Sequence, residues 1–135
     1  MNETGGCYCG AVRYKITGEP AMKIQCNCRE CQHIAGGAHN FTMGIPESGF
    51  EYTQGTPKTF SRSDLENPVT REFCGECGTP LASLAPGVPG VVLLKIGSLD
   101  NPAVFEGPQA VIYTKDKQDF HVLPEGVPAF ETFPG

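Results

Sequence analysis

Apolar and polar residues alternate over positions 11–17, where Val12, Tyr14 and Ile16 interleave with Arg13, Lys15 and Thr17. A period of two sends alternate side chains to opposite faces, the signature of a half-buried strand. Gly18-Glu19-Pro20 is turn chemistry, and positions 22–26 alternate again. Positions 28–35 suit one or two short helical turns, which Gly36-Gly37 would stop. Further short strands are predicted near 39–45, 50–53, 58–62, 69–73, 80–84, 91–96 and 109–114. The stretch 91–96 is apolar on both faces, which predicts a central strand. Loops fall at 85–90, 101–102 and 125–128. No internal repeat, low-complexity tract or linker interrupts this pattern. The expectation is a single, mainly β domain over residues 1–135.

Composition sharpens that picture in two places. Seventeen Gly and twelve Pro are spread along 135 residues, as expected of turns between many short strands. Net charge is −5 with His neutral, and seven thiolates with two dications would carry it to −8. A surface of that sign repels phosphate backbones, so no nucleic-acid partner is expected. Arg13, Lys15, Arg29, Arg62 and Arg71 are scattered and form no basic run. No apolar stretch approaches a membrane span, and positions 1–6 do not resemble a signal peptide. A reducing cytoplasm is the expected compartment, where structural disulfides are disfavoured.

The chemistry lies in seven cysteines. They form three tight groups: Cys7 with Cys9; Cys26, Cys28 and Cys31; and Cys74 with Cys77. An odd count at such short spacings argues against disulfides, whose geometry close neighbours reach only under strain. Zinc instead gathers thiolates about 2.3 Å from one centre. A C-x-C in extended chain offers two side chains on one face, and a C-x-x-C over a tight turn does the same. A lone cysteine would be read as core packing, but three clusters point to metal. Four ligands saturate a structural zinc, and three leave one position for water or substrate. The natural partition of the seven is Cys7, Cys9, Cys74 and Cys77 around one zinc, with Cys26, Cys28 and Cys31 around a second. His33, His39 or His121 could close the second site and make it structural as well.

Three stretches carry a family resemblance: residues 5–14 (Gly-Gly-Cys-Tyr-Cys-Gly-Ala-Val-Arg-Tyr), 26–31 (Cys-Asn-Cys-Arg-Glu-Cys) and 73–79 (Phe-Cys-Gly-Glu-Cys-Gly-Thr). With the Gly-Ser-Leu-Asp-Asn-Pro turn at 97–102, the chain resembles the glutathione-dependent formaldehyde-activating enzymes, which include centromere protein V-like proteins. The resemblance runs from Gly5 to about Phe130. It implies an Mss4-like fold of short twisted antiparallel sheets stapled by a four-cysteine zinc site. It also implies two zinc ions: a structural one on Cys7, Cys9, Cys74 and Cys77, and a catalytic one on Cys26, Cys28 and Cys31. Three departures bear on the substrate. Asn27 stands where the family commonly has His, Gln32 stands where Arg is common, and Phe120 replaces a C-terminal Trp.

Charge at the three-cysteine site narrows the chemistry. Three thiolates on one zinc leave a net −1, so bound water there is harder to deprotonate than at histidine sites, and hydrolysis fits poorly. A substrate thiol fits better, because the site favours its thiolate and keeps that sulfur nucleophilic. Addition of a small thiol, glutathione in the family resembled, to formaldehyde or a related aldehyde is the expected reaction. The reverse is a carbon–sulfur lyase step. Arg13 and Arg29 are candidate contacts for a substrate carboxylate, against the plainer reading of solvated arginines. The three histidines are candidate proton shuttles, against ordinary packing roles. Asp100 reads as a turn-stabilising residue. Two rival functions are a non-catalytic zinc module that binds a protein partner, and redox chemistry. The module would need a fourth protein ligand on the second zinc, and redox chemistry a cysteine free of metal.

Overall fold

The computed structural model describes residues 1–134 as ten strands, one short helix and four single 3-10 turns. In chain order the strands are β1 Asn2–Gly6, β2 Arg13–Thr17, β3 Met22–Cys26, β4 Asn40–Pro46, β5 Phe50–Gln54, β6 Lys58–Phe60, β7 Thr70–Phe73, β8 Pro80–Leu84, β9 Val91–Lys95 and β10 Ala110–Ile112. The helix α1 spans Arg29–Ile34. Cys28 caps its start by accepting from the Cys31 N–H, and the chain leaves it through Gly36 and Gly37, both at positive φ.

Three strands, in the order β1-β2-β5, make a small antiparallel sheet. The other seven form a second sheet in the order β10-β3-β4-β9-β8-β7-β6, with β9 in the middle. All pairings are antiparallel except β10 on β3, which run parallel. The mainly β expectation holds. β1 was not foreseen, since its polar Asn-Glu-Thr-Gly-Gly lacks alternation. Pairing of all five residues with β2 makes it a strand. Among the described residues no helix is long and apolar enough to cross a membrane.

The main core lies between the sheets. Tyr14 and Ile16 of β2 pack against Met43 and Ile45 of β4, Leu81 of β8 and Leu94 of β9, all fully buried. The 97–102 turn locks this arrangement. Ser98 bonds the Tyr14 hydroxyl at 2.7 Å and donates to the Lys95 carbonyl, while Asp100 accepts from Thr4 and from both arms of the Arg13 guanidinium. Asp100 thus ties β1 and β2 to the end of β9 rather than serving its own turn. The Arg13 pairing holds its carboxyl down to about 2.

Gly5 makes that contact possible. A Cβ there would lie 2.3 Å from the Tyr14 hydroxyl and 2.5 Å from the Ser98 carbonyl. Gly5→Ala is therefore expected to cost about 1–3 kcal/mol by overpacking. A denaturant melt checks this, and unchanged stability would show that the Tyr14–Ser98 contact yields freely.

Candidate metal centres and cavity

Two groups of cysteines converge, each with its ligand atoms within 4.8 Å of one another. The first joins Cys7 and Cys9, in the loop between β1 and β2, to Cys74 and Cys77, in the turn between β7 and β8. The second is Cys26, Cys28 and Cys31, at the end of β3 and the start of α1. Every cysteine of the chain belongs to one group or the other.

The first group fits a tetrahedral ion. Cys7 and Cys9 sulfurs are 3.6 Å apart and those of Cys9 and Cys74 3.8 Å apart. The edge of a zinc–thiolate tetrahedron is about 3.8 Å. Backbone N–H groups point at the sulfurs: Val12 donates to Cys7 at 3.2 Å, and Glu76 and Cys77 donate to Cys74 at 3.4 and 3.5 Å. Such donors steady thiolate charge and orient ligands. The local folding follows from short loops. Gly10 N–H bonds the Cys7 carbonyl, Gly78 N–H bonds the Cys74 carbonyl, and Tyr8 N–H reaches the Thr79 hydroxyl across the two loops.

The second group is formed differently. Cys26 ends β3, Cys28 caps α1, and Cys31 lies one helical turn on, so six residues supply all three sulfurs. Among the described residues no histidine or carboxylate joins them. His33 is exposed on α1. His121 is fixed elsewhere, its Nδ1 accepting from Gln118 N–H and its Nε2 donating to the Gly37 carbonyl at 2.7 Å. His39 stacks edge-on against Phe41 with its Nδ1 unpartnered. Three sulfurs this close compete for ionisation. Hydrogen bonds from Cys26 and Cys28 hold the Cys31 thiol down to about 3, with help from Asn40, while Cys26 is pushed up by Cys28 and Cys31. A donor set that cannot ionise together unaided is one that a dication satisfies.

These sulfurs open on a cavity of about 640 Å³. Its floor is the face of the seven-stranded sheet turned away from the core. By register, Met22, Ile24 and Cys26 of β3 lie beside Asn40 and Thr42 of β4, then Leu93 and Lys95 of β9, Ser83 of β8 and Arg71 of β7. Lys95 is only 7% exposed, and burial pushes its ammonium down to about 8. Arg29 lines the same cavity and donates to Gln32, whose amide in turn donates to the Asn27 and Asp116 carbonyls. Arg13, by contrast, is bound to Asp100 on the small sheet and does not line the cavity. Asn27 is wholly buried with both amide atoms unpartnered, and Phe120 is exposed.

Reading the sequence missed Lys95, Thr42 and Ser83. The one signal was a lysine inside the otherwise apolar run of 91–96, a charge in a strand expected to be buried on both faces.

Residues 2–116 match the family model described as glutathione-dependent formaldehyde-activating enzyme. The chain belongs to that family. At family level this carries glutathione-dependent formaldehyde-activating chemistry, and the two cysteine clusters are compatible with metal binding. The fold of this formaldehyde-activating family member also resembles the crystal structure of a Rhodobacter sphaeroides protein, at a TM-score of 0.61. The two share 16% identity over 94% of this chain and 98% of the other, a likeness of fold alone.

Proposed function

We propose that this protein is a zinc-dependent carbon–sulfur lyase of the S-(hydroxymethyl)glutathione synthase type, joining a small thiol to formaldehyde or a related aldehyde, or the reverse. Cys7, Cys9, Cys74 and Cys77 would hold a structural zinc, and Cys26, Cys28 and Cys31 a catalytic one. The observation that carries this reading is the three-sulfur cluster, which among the described residues has no fourth His, Cys, Asp or Glu ligand and is set in the wall of a cavity large enough for a small molecule.

A zinc ion on three thiolates supplies a coordination position that favours the thiolate form of an incoming thiol while leaving its sulfur nucleophilic. The chain's own residues do the rest. Asn40 Nδ2 lies 3.6 Å from the Cys31 sulfur and steadies its charge. The Cys31 N–H bonds the Cys28 sulfur at 3.3 Å and fixes the angle between them. Met22, Ile24 and Leu93 line the cavity with apolar surface and limit water near the sulfurs. In the reaction, the substrate sulfur forms a bond to the carbonyl carbon and the carbon–oxygen π pair moves to oxygen. The proton lost from sulfur ends on that oxygen. No oxidant or reductant is consumed, so no free redox cysteine is needed.

The partner-binding alternative called for a fourth ligand closing the second site, and the described residues offer none among His, Cys, Asp and Glu. Metal analysis after growth with ample zinc is expected to give close to two zinc per chain. After cobalt substitution, glutathione or another small thiol at millimolar concentration is expected to shift the visible spectrum of the second site. Disulfides with no zinc would remove the whole reading. An unmoved cobalt spectrum would remove the thiol mechanism and leave a metal-bearing module.

A further inference from the structure

Lys95 is buried on the cavity floor, and among the described residues it makes no ion pair. A buried cation is costly unless it is compensated. An apolar residue would cost less at this place, beside the apolar Ile24 and Leu93 of the same floor. The other charges of the cavity wall cancel among themselves. Arg71 pairs with Glu30 at 3.7 Å, and Arg29 and Asp116 are opposite in sign. What remains is the three-cysteine centre. Three thiolates around a dication carry −1, and Lys95 brings that sum to zero.

Register puts the two charges on one face. Lys95 of β9 stands opposite Thr42 of β4, and Thr42 stands opposite Ile24 of β3. Cys26 and Asn40 are the next pair along that face, and the Asn40 amide lies 3.6 Å from the Cys31 sulfur. β3 and β9 are two strand spacings apart, about 10 Å. Burial pushes the Lys95 ammonium down, and the largest influence holding it up is the Cys31 sulfur.

We propose that Lys95 is the counter-charge of the Cys26, Cys28 and Cys31 centre, and that it lets this centre accept one further anionic ligand. This rests on the reading of those cysteines as the end that receives a thiol sulfur. Without the lysine, an incoming thiolate would meet a centre already at −1, in a partly buried site where charges are poorly screened. With it, the same thiolate meets a neutral pair. Lys95 acts through the charge of the centre and not by contact with substrate, which makes it a positioning residue. A neutral ligand at the same place would gain nothing from it, and an arginine could stand in for it.

The test titrates cobalt-loaded protein at constant pH with mercaptoethanol, azide and imidazole, and takes dissociation constants from the visible spectrum. The first two probes bring a negative charge to the centre, and the third brings none. Lys95→Met is expected to weaken mercaptoethanol and azide by about tenfold or more, the effect of one unit charge at about 10 Å under partial screening. Imidazole should bind the parent and the variant alike. Lys95→Arg should restore most of the loss, and Lys95→Gln serves if Lys95→Met does not fold. Azide binding that depends on Lys95, with a spectrum unmoved by mercaptoethanol, would keep the counter-charge and reject the thiol reading. Mercaptoethanol that binds parent and Lys95→Met equally would keep the thiol reading and overturn the proposal. Equal weakening of all three probes would also overturn it, because damage to the site and not loss of a charge gives that pattern. A parent spectrum that neither anion moves would overturn both.

Discussion

Cys74→Ser and Cys77→Ser are expected to give insoluble or unfolded protein. Their cluster binds the loop that follows β1 to the turn that follows β7, and so fastens the three-stranded sheet to the seven-stranded one. Structural zinc in small domains contributes on the order of 10 kcal/mol of folding free energy. The net stability of a whole domain is only about 5–15 kcal/mol. The polar contacts beside the cluster could not replace it. The Tyr8 N–H bond to Thr79 and the Arg13–Asp100 pair are solvent-exposed, and exposed ion pairs contribute about 0–1 kcal/mol. The buried contacts of Tyr14 and Ile16 with Met43, Ile45 and Leu94 remain, so a partly collapsed species is the expected residue of folding. Circular dichroism melts with metal analysis check this. A variant that melts like the parent would show that the first cluster is not a staple.

How far the sequence foretells this molecule depends on the range of the interaction. Strands β2, β3 and β9 are legible because alternation, or its absence in a doubly buried strand, is written into five or six consecutive residues. The stop of α1 is legible for the same reason, in Gly36-Gly37. β1 is illegible locally, since nothing in Asn-Glu-Thr-Gly-Gly favours extension apart from its partner β2. The parallel docking of β10 on β3 joins segments some eighty residues apart and leaves no local mark. The sulfur groupings are partly legible, because C-x-C and C-x-x-C spacings act over one turn of chain. That Cys7 and Cys9 meet Cys74 and Cys77 is a long-range fact, read beforehand only from ligand counting and resemblance. The cavity floor is the least legible feature. Thr42, Ser83, Lys95 and Arg71 come from four strands and share a face only once register is set. Each alone reads as an ordinary strand residue.

Cys31→Ser is expected to leave the fold intact, to lose one metal, and to lose thiol-dependent activity on the order of 100-fold or more. The second cluster draws its sulfurs from six consecutive residues and ties no distant segments together. Its frame is held without them. β3 pairs with β4 over five residues and with β10 over three, and α1 is anchored by the Gln32 amide, which donates to the Asn27 and Asp116 carbonyls at 2.8 Å each. Serine fills nearly the same space as cysteine, so the buried Cys31 position is not left as a cavity. What changes is charge. Cys31 is the sulfur most strongly held as thiolate, by Cys26 and Cys28 and then Asn40. A serine hydroxyl is far harder to ionise and a poorer partner for a soft-liganded ion. Changes to residues that only support a ligand already cost about 10- to 100-fold in affinity or activity, so loss of the ligand itself should reach the upper figure or beyond. Melting within a few degrees of the parent, with one zinc in place of two, is the expected pair of readings. If Cys31→Ser unfolds while Cys77→Ser melts normally, the structural and reactive roles belong to the opposite clusters.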